Sequence, residues 1–350
     1  MANGPNRRKW TGFFVIFVLL IGLIYIPVPY FVSQPGDAID LAELVHVVGG
    51  YEQEGRLMLT TIKLGKANLL SYAWAKMSDY VELIEEEQVL ASHRNEEEYH
   101  LYQQGLMEMS KDKAIIAAFR LAKKEVEVLN HGVTVMGIVD ELSHTSPIKV
   151  GDLITAVDHR RVDTVEGLIG YLKGKKVGDE VVLTIKREDK TFDTTVTLRE
   201  LADNDGKKRA SIGILAVTER SVITVPPVEV DTRRIGGPSA GMMFALQIYN
   251  AITPEDLTKG YRIAGTGTVD EQGHVGRIGG VHQKVVAAHK AGAEIFFAPH
   301  EGGKEDSNYW EALKTAEDIG SRMQIVPVDH LQDVIRYMES LPPKQHEFNY

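Results

Sequence analysis

Gly236-Gly237-Pro238-Ser239-Ala240-Gly241 leads into the apolar stretch MMFALQIY at 242–249, and residues 266–293 read TGTVDEQGHVGRIGGVHQKVVAAHKAGA. In the first stretch, three glycines and a proline surround one serine just before an amphipathic helix. Pro near a first turn and Ser at a cap are helix-start signals, so Ser239 reads either as a cap or as a nucleophile. In the second role, free backbone N–H groups at the helix N-terminus would hold an oxyanion. A nucleophilic Ser needs a base. In the helix expected over Gly280–Ala291, Val281, Lys284, Val285 and Ala288 recur at i, i+3, i+4, i+7, which puts Lys284 on the apolar face. A lysine there either snorkels outward or stays desolvated. An ordinary lysine, pKa about 10.4, cannot accept a proton at neutral pH; lowering it to about 7 asks ~4 kcal/mol of its surroundings. Lys284 would then deprotonate Ser239, whereas His289 and Lys290 fall on solvated sides.

Around these stretches, strands and helices alternate from about 210 to 340, the pattern of an α/β or α+β domain. The expected strands are Val222–Val225, Ile295–Ala298 and Met323–Val328. A hairpin is expected from Arg262–Thr268 and His274–Ile278, and helices over Ser239–Asn250 and Leu331–Glu339. Residues 237–241 also spell G-x-S-x-G, the nucleophile elbow of α/β-hydrolases, but Val230-Asp231-Thr232-Arg233-Arg234-Ile235 is too polar for the buried strand that elbow requires. His300-Glu301 and His346-Glu347 lack the second His of a H-E-x-x-H zinc site, so no metal is expected.

Together, GGPSAG and the 266–293 segment resemble the proteolytic domain of Lon-type serine peptidases over roughly residues 210–340. The resemblance implies that Ser239 is the nucleophile, Lys284 the general base and Thr266 a contact of that lysine, with Gly237, Pro238 and Ala240 supporting the nucleophile. His282-Gln283 departs from the acidic or basic residues many relatives carry there.

Residues 129–200 read as a compact αβ unit. Val133–Val139 is a β-branched run, Pro147–Asp152 a turn into Leu153–Val157, Val165–Leu172 a short helix, and Val181–Lys186 with Thr191–Leu198 a hairpin. The unit resembles a PDZ domain of the bacterial protease type, with Pro147…Gly151-Asp152-Leu153-Ile154 as its turn. That resemblance implies peptide binding along a strand opened by Gly132, Val133, Thr134 and Val135. ELADNDGKKRA beyond it reads as a linker, assigned to 201–209. Upstream, 39–64 reads as two β-rich runs about Gly49-Gly50, and 68–128 as helical, with Glu85–Glu87 and Glu96–Glu98 on solvated faces.

The 350 residues carry a net charge of −10, which argues against nucleic-acid binding, and no cysteine, which removes disulfides and thiolate sites. Hydrophobic residues at 43% and charged ones at 25% exclude wholesale disorder. Arg7, Arg8 and Lys9 precede an uncharged apolar run, Trp10–Val32, long enough to span a bilayer. No A-x-A-like site follows it, so a retained transmembrane helix is expected rather than a cleaved signal. The positive-inside rule then leaves residues 1–9 in the cytoplasm and the bulk outside.

The expected class is thus a multidomain α/β (α+β) chain. It comprises a cytoplasmic tail (1–9), anchor (10–32), an extracytoplasmic β-rich and helical region (33–128), a PDZ-like domain (129–200), a linker, a Lon-protease-like α/β domain (210–340) and a tail (341–350). The layout resembles membrane-anchored PDZ–Lon-type peptidases of Gram-positive bacteria. The sequence contains no G-x-x-x-x-G-K-[ST], so neither ATP nor any other cofactor is expected. Expected partners are the cell membrane and peptide or protein substrates. The alternative is a non-catalytic membrane scaffold with a vestigial Lon-like domain. Substrate identity and oligomeric state are not encoded in any motif.

Overall fold

The computed structural model describes residues 10, 13, 14, 22, 24–90, 95–139, 147–202 and 208–344. Two units follow from its strand pairing. The larger is built on a six-stranded sheet formed by β1 (Pro27–Asp40), β3 (Arg56–Asn68), β4 (Glu82–Glu85), β14 (Arg262–Gly265), β17 (Ile295–Pro299) and β18 (Gln324–Val328), in the order β18-β17-β14-β3-β1-β4. Pairing is parallel from β18 to β3 and antiparallel from β3 through β1 to β4. A shorter β2 (Val45–Val47) pairs with β13 (Val228–Val230), and α1 (Leu69–Ala75) and α2 (Glu86–Leu90) flank β4 in sequence.

Side chains leave a strand alternately to its two faces, and here the alternation feeds two cores. Leu57 and Leu59, Ile295 and Phe297, and Val326 and Val328 join one cluster with α3 (Glu96–Leu121) and α5 (Gly241–Ile252). Met58, Phe296, Ala298 and Ile325 join another with α6 (Val281–Lys290) and α7 (Asn308–Asp318). Helices therefore cover both faces, which is why Ile295–Pro299 is buried at every position. The remaining helix, α8 (Leu331–Ser340), packs on the first core.

This sheet revises the division expected at 33–128 and 210–340. Residues 27–85 supply three of the six strands, β1, β3 and β4, on which the later residues pack, so the two stretches are one unit. The hairpin expected at 262–278 is also smaller. β14 pairs with β3 and β17, and only β15 (Thr268–Val269) and β16 (Val275–Gly276) form an antiparallel pair.

The second unit interrupts the first. β5 (Val126–Ile138) leads out of α3 and β12 (Ile214–Thr224) leads back, paired from Val126↔Thr224 to Ile138↔Ile214. Between them lie β6 (Leu153–Val157), β7 (Arg160–Arg161), α4 (Val165–Leu172), β8 (Glu180–Arg187) and β9 (Lys190–Thr197), in the sheet order β12-β5-β6-β8-β9. Its core comprises Val133, Val135, Ile154, Leu183 and Ile185 under Leu168 and Leu172 of α4. The expected linker is instead flanked by paired strands, β10 (Arg199–Ala202) and β11 (Lys208–Ser211), with Arg199 opposite Ser211; residues 203–207 lie outside the described set.

Part of the expected anchor, 10–32, lies outside the described residues, and so do 1–9 and 345–350. Among the described residues no helix is long and apolar enough to cross a membrane. Positions 27–32 are not helical. They open β1, with Phe31 and Val32 buried and paired to Lys66 and Gly65. Pro27 and Pro29 lack the N–H a helix interior needs, and a β-strand end accommodates them. Any spanning helix therefore stops before Pro27.

Candidate active site

Lys284 sits one turn into α6, on the buried stripe its spacing predicts. Gly280 starts the helix in the left-handed region, φ +66°, where a Cβ would stand 3.0 Å from Gln283 Oε1. The Lys284 side chain is 3% exposed, and burial alone pulls its pKa from 10.5 down to about 7. Among the described residues it has no carboxylate partner to oppose that shift. Its Nζ lies 2.7 Å from Ser239 Oγ, 3.1 Å from Thr266 Oγ1 and 3.2 Å from the Thr60 carbonyl oxygen.

These three contacts fix the direction of proton transfer. The Thr60 carbonyl can only accept. The Thr266 hydroxyl donates its own proton to the Ser239 carbonyl oxygen at 3.1 Å, so toward Lys284 it too accepts. A neutral amine has two N–H groups and one lone pair. Both donors are taken, and the lone pair is left facing Ser239 Oγ, the one contact able to give it a proton.

Ser239 lies in a short 3-10 turn, Pro238–Ala240, leading into α5, and neither helical start carries a side-chain cap. It is half-buried and does not cap the helix. Gly237 holds φ +80°, and a Cβ there would meet Gln103 Oε1 at 3.0 Å. The turn is pinned from both sides. On α3, the Gln103 carbonyl accepts from Gly237 N–H at 2.8 Å and Ser110 Oγ donates to the Pro238 carbonyl at 2.9 Å. At the end of β14, Gly267 N–H donates to the Ser239 carbonyl at 2.9 Å. Ser239, Lys284, Thr266, Gly237, Pro238 and Ala240 are thus brought to one place, where β14 ends beside β3.

Sequence reasoning misses Thr60, Gln103 and Ser110, and gives Gln283 no role. Thr60 and Gln103 act through backbone carbonyls, which any residue type supplies. Gln283 is fully buried: its amide donates to the Ser33 and Tyr80 carbonyls and accepts from Ser33 Oγ. His282 bridges Glu311 at 2.8 Å and Glu82 at 3.3 Å, and the Glu311 hydrogen bond raises its pKa. The departure at 282–283 therefore ties α6 to β1, β4 and α7.

In the inserted unit, Gly132, Val133, Thr134 and Val135 do not form a free peptide-binding edge. β5 is paired on both sides: Val133 opposes Thr218 of β12 and Ile154 of β6, and Thr134 opposes Val217 and Leu153. A strand with both edges occupied cannot accept a third. Asp152 of the Gly-Asp turn is fully buried and pairs with Arg187 at 2.6 and 2.8 Å, so its role is structural.

Residues 223–340 match the family profile described as the Lon protease (S16) C-terminal proteolytic domain, and residues 112–198 the profile described as a PDZ domain. The chain is 32% identical over 98 residues to the Lon protease of Aster yellows witches'-broom phytoplasma, covering 28% of this chain and 11% of that one. It is 26% identical over 200 residues to the Lon protease of Methanosarcina barkeri, covering 53% and 24%. The chain thus spans a quarter or less of these two relatives' length. The PDZ domain of the SdrC-like protein from Listeria monocytogenes is 33% identical and aligns with 26% of this chain and 93% of its own, at a TM-score of 0.23. The chain joins a PDZ domain to a Lon C-terminal proteolytic domain, the first set between elements that build the second.

Proposed function

We propose that this chain is an ATP-independent, membrane-anchored serine endopeptidase that cuts extracytoplasmic peptides or small membrane-tethered proteins, with its PDZ domain selecting them. The observation that carries the reading is the buried Lys284 amine, 2.7 Å from Ser239 Oγ with its lone pair directed there. Ser239 gives its proton to Lys284 as Oγ attacks the scissile carbonyl. The oxyanion is held by backbone N–H groups at the uncapped helical start around Ser239 and Ala240. Lys284 then passes the proton to the leaving amine as the C–N bond breaks. In the second half Lys284 takes a proton from water as its oxygen attacks the acyl carbonyl, and returns that proton to Ser239 Oγ as the ester bond breaks. Thr266 keeps the amine aimed.

Membrane attachment rests on the basic cluster before the apolar run and on Trp10, Phe13, Phe14 and Ile24, which are helical and exposed. The helix ends at Ile24, ahead of a turn at Tyr25, so a span from Trp10 is shorter than the roughly 17 residues that usually cross a bilayer. Two experiments test the reading. The full chain in detergent should cut casein and a Ser239→Ala form should not; a wild-type protein that leaves casein intact overturns the activity. Protease added to intact protoplasts should degrade everything beyond about residue 36, and full protection overturns the topology.

A further inference from the structure

Neither β5 edge is open; among the described residues, the strands beside α4 that are paired on one side only are β12, paired by β5, and β11, paired by β10. Between α4 and β11 runs a cleft of about 420 Å³. Its floor is apolar, from Ile169, Leu172 and Ala210, with exposed Val177 at its edge. Its wall is β11, which is paired on one side only, by β10. Its rim is cationic. Lys175 is neutralised by Asp158 at 2.7 Å and Lys208 by Glu200 at 2.7 Å. Lys173, Lys176 and Arg209 also line it, are exposed, and have no carboxylate partner among the described residues. A chain of net charge −10 thus concentrates around one apolar cleft three cations without a carboxylate partner among the described residues.

We infer that this cleft binds an extended substrate segment that carries an apolar residue next to Asp or Glu side chains. The apolar residue sits on the Ile169–Leu172 floor, its backbone runs along the open edge of β11, and its acidic neighbours face Lys173, Lys176 and Arg209. The inference rests on the proposed peptidase reading only in calling the bound segment substrate. It names a chemical class, acidic segments, and moves the docking edge from Gly132–Val135 to Lys208–Ser211.

The test uses the full chain as its Ser239→Ala form, so that binding is read without cutting. Fluorescein-labelled peptides with free C-termini, differing only in three Glu against three Gln beside a Leu, are titrated by anisotropy. The Glu peptide should bind about tenfold tighter, about 1.4 kcal/mol, the scale of three exposed ion pairs. The advantage should shrink with added salt. Lys173→Glu, Lys176→Glu and Arg209→Glu together should abolish it. In the otherwise wild-type chain, the same three changes should leave cleavage of a short neutral peptide unchanged. Equal binding of the two peptides, or a Glu preference that survives the charge reversals, overturns the inference. So does release of the Glu peptide by phosphatidylglycerol vesicles but not by excess free Glu peptide, which would assign the cations to a lipid surface. If wild type cuts nothing while the Glu preference holds and follows the three cations, the peptidase reading fails and the acidic-segment cleft stands.

Discussion

Replacing Lys284 by Met should make the protein more stable and inactive at once. The amine is 3% exposed and its pKa falls from 10.5 to about 7. Each unit is worth about 1.4 kcal/mol, so holding this group in the folded state at neutral pH costs about 5 kcal/mol relative to a pH where it is neutral in both states. The folded pKa lies below the unfolded one, so between about 7 and about 10 the unfolded chain binds the extra proton. Wild-type stability contributed by this group therefore climbs as pH rises through that window. Met has similar length and no charge. It removes the pH-dependent cost but leaves the Thr60 carbonyl and the Ser239 and Thr266 hydroxyls each one partner short, at about 1 kcal/mol each. At pH 7 the variant should gain about 2 kcal/mol, and at pH 10 it should be the less stable form. The gap between the two forms should change by about 4 kcal/mol over that range. Urea unfolding of both proteins at the two pH values measures it, since other titrating groups are common to both and cancel. In parallel, wild-type kcat/KM should rise with pH through a single midpoint near 7, and Lys284→Arg should be inactive because a guanidinium does not give up its proton. A pH-independent stability gap, or an activity midpoint above about 9, would refute the neutral-amine mechanism.

Three further outcomes follow from the same contacts. Thr266→Val keeps the shape and removes the hydroxyl that orients both Lys284 and the Ser239 carbonyl; kcat should fall about tenfold to a hundredfold with KM unchanged, and an unchanged kcat removes Thr266 from the site. Arg187→Ala strands the fully buried Asp152 carboxylate and should cost the PDZ domain about 3 kcal/mol, seen as earlier proteolysis of 139–213 while the catalytic unit resists. Replacing residues 131–219 with Asn-Gly joins Asn130 to its ladder partner Arg220 through a hairpin turn. That protein should still cut short peptides and should lose preference among protein substrates; loss of both activities would make the insert part of the catalytic fold.

The site was more legible in the sequence than the frame around it, and the reason is locality. Lys284 is placed by the period of one helix, and Ser239 by the turn residues beside it. The sheet is not local. β1 and β3 lie some two hundred residues from β14, and nothing in PVPYFVSQPGDAID names its neighbours. Glu82–Glu85, with two glutamates in a Glu-rich stretch, has a helical composition, yet it pairs with Tyr30–Ser33 at the sheet edge. The alternation in Gly132–Val135 is the same for a central strand as for an edge strand, so only the ladder reveals which it is. Thr60 contributes a main-chain oxygen, for which sequence offers no signal at all.

The PDZ domain is attached by two hydrogen-bonded strands and not by a tether, and this changes the arithmetic of capture. A flexible linker would present bound substrate over a cloud of positions, with an effective concentration that depends on linker length. A paired ribbon presents it at one place. Should capture and cutting reside in the two domains as proposed, the distance from a held segment to Ser239 is a property of the fold. The domain then acts as a ruler: the first cut falls at a set number of residues from the segment it grips, and substrates too short to reach from one domain to the other are cut without its help.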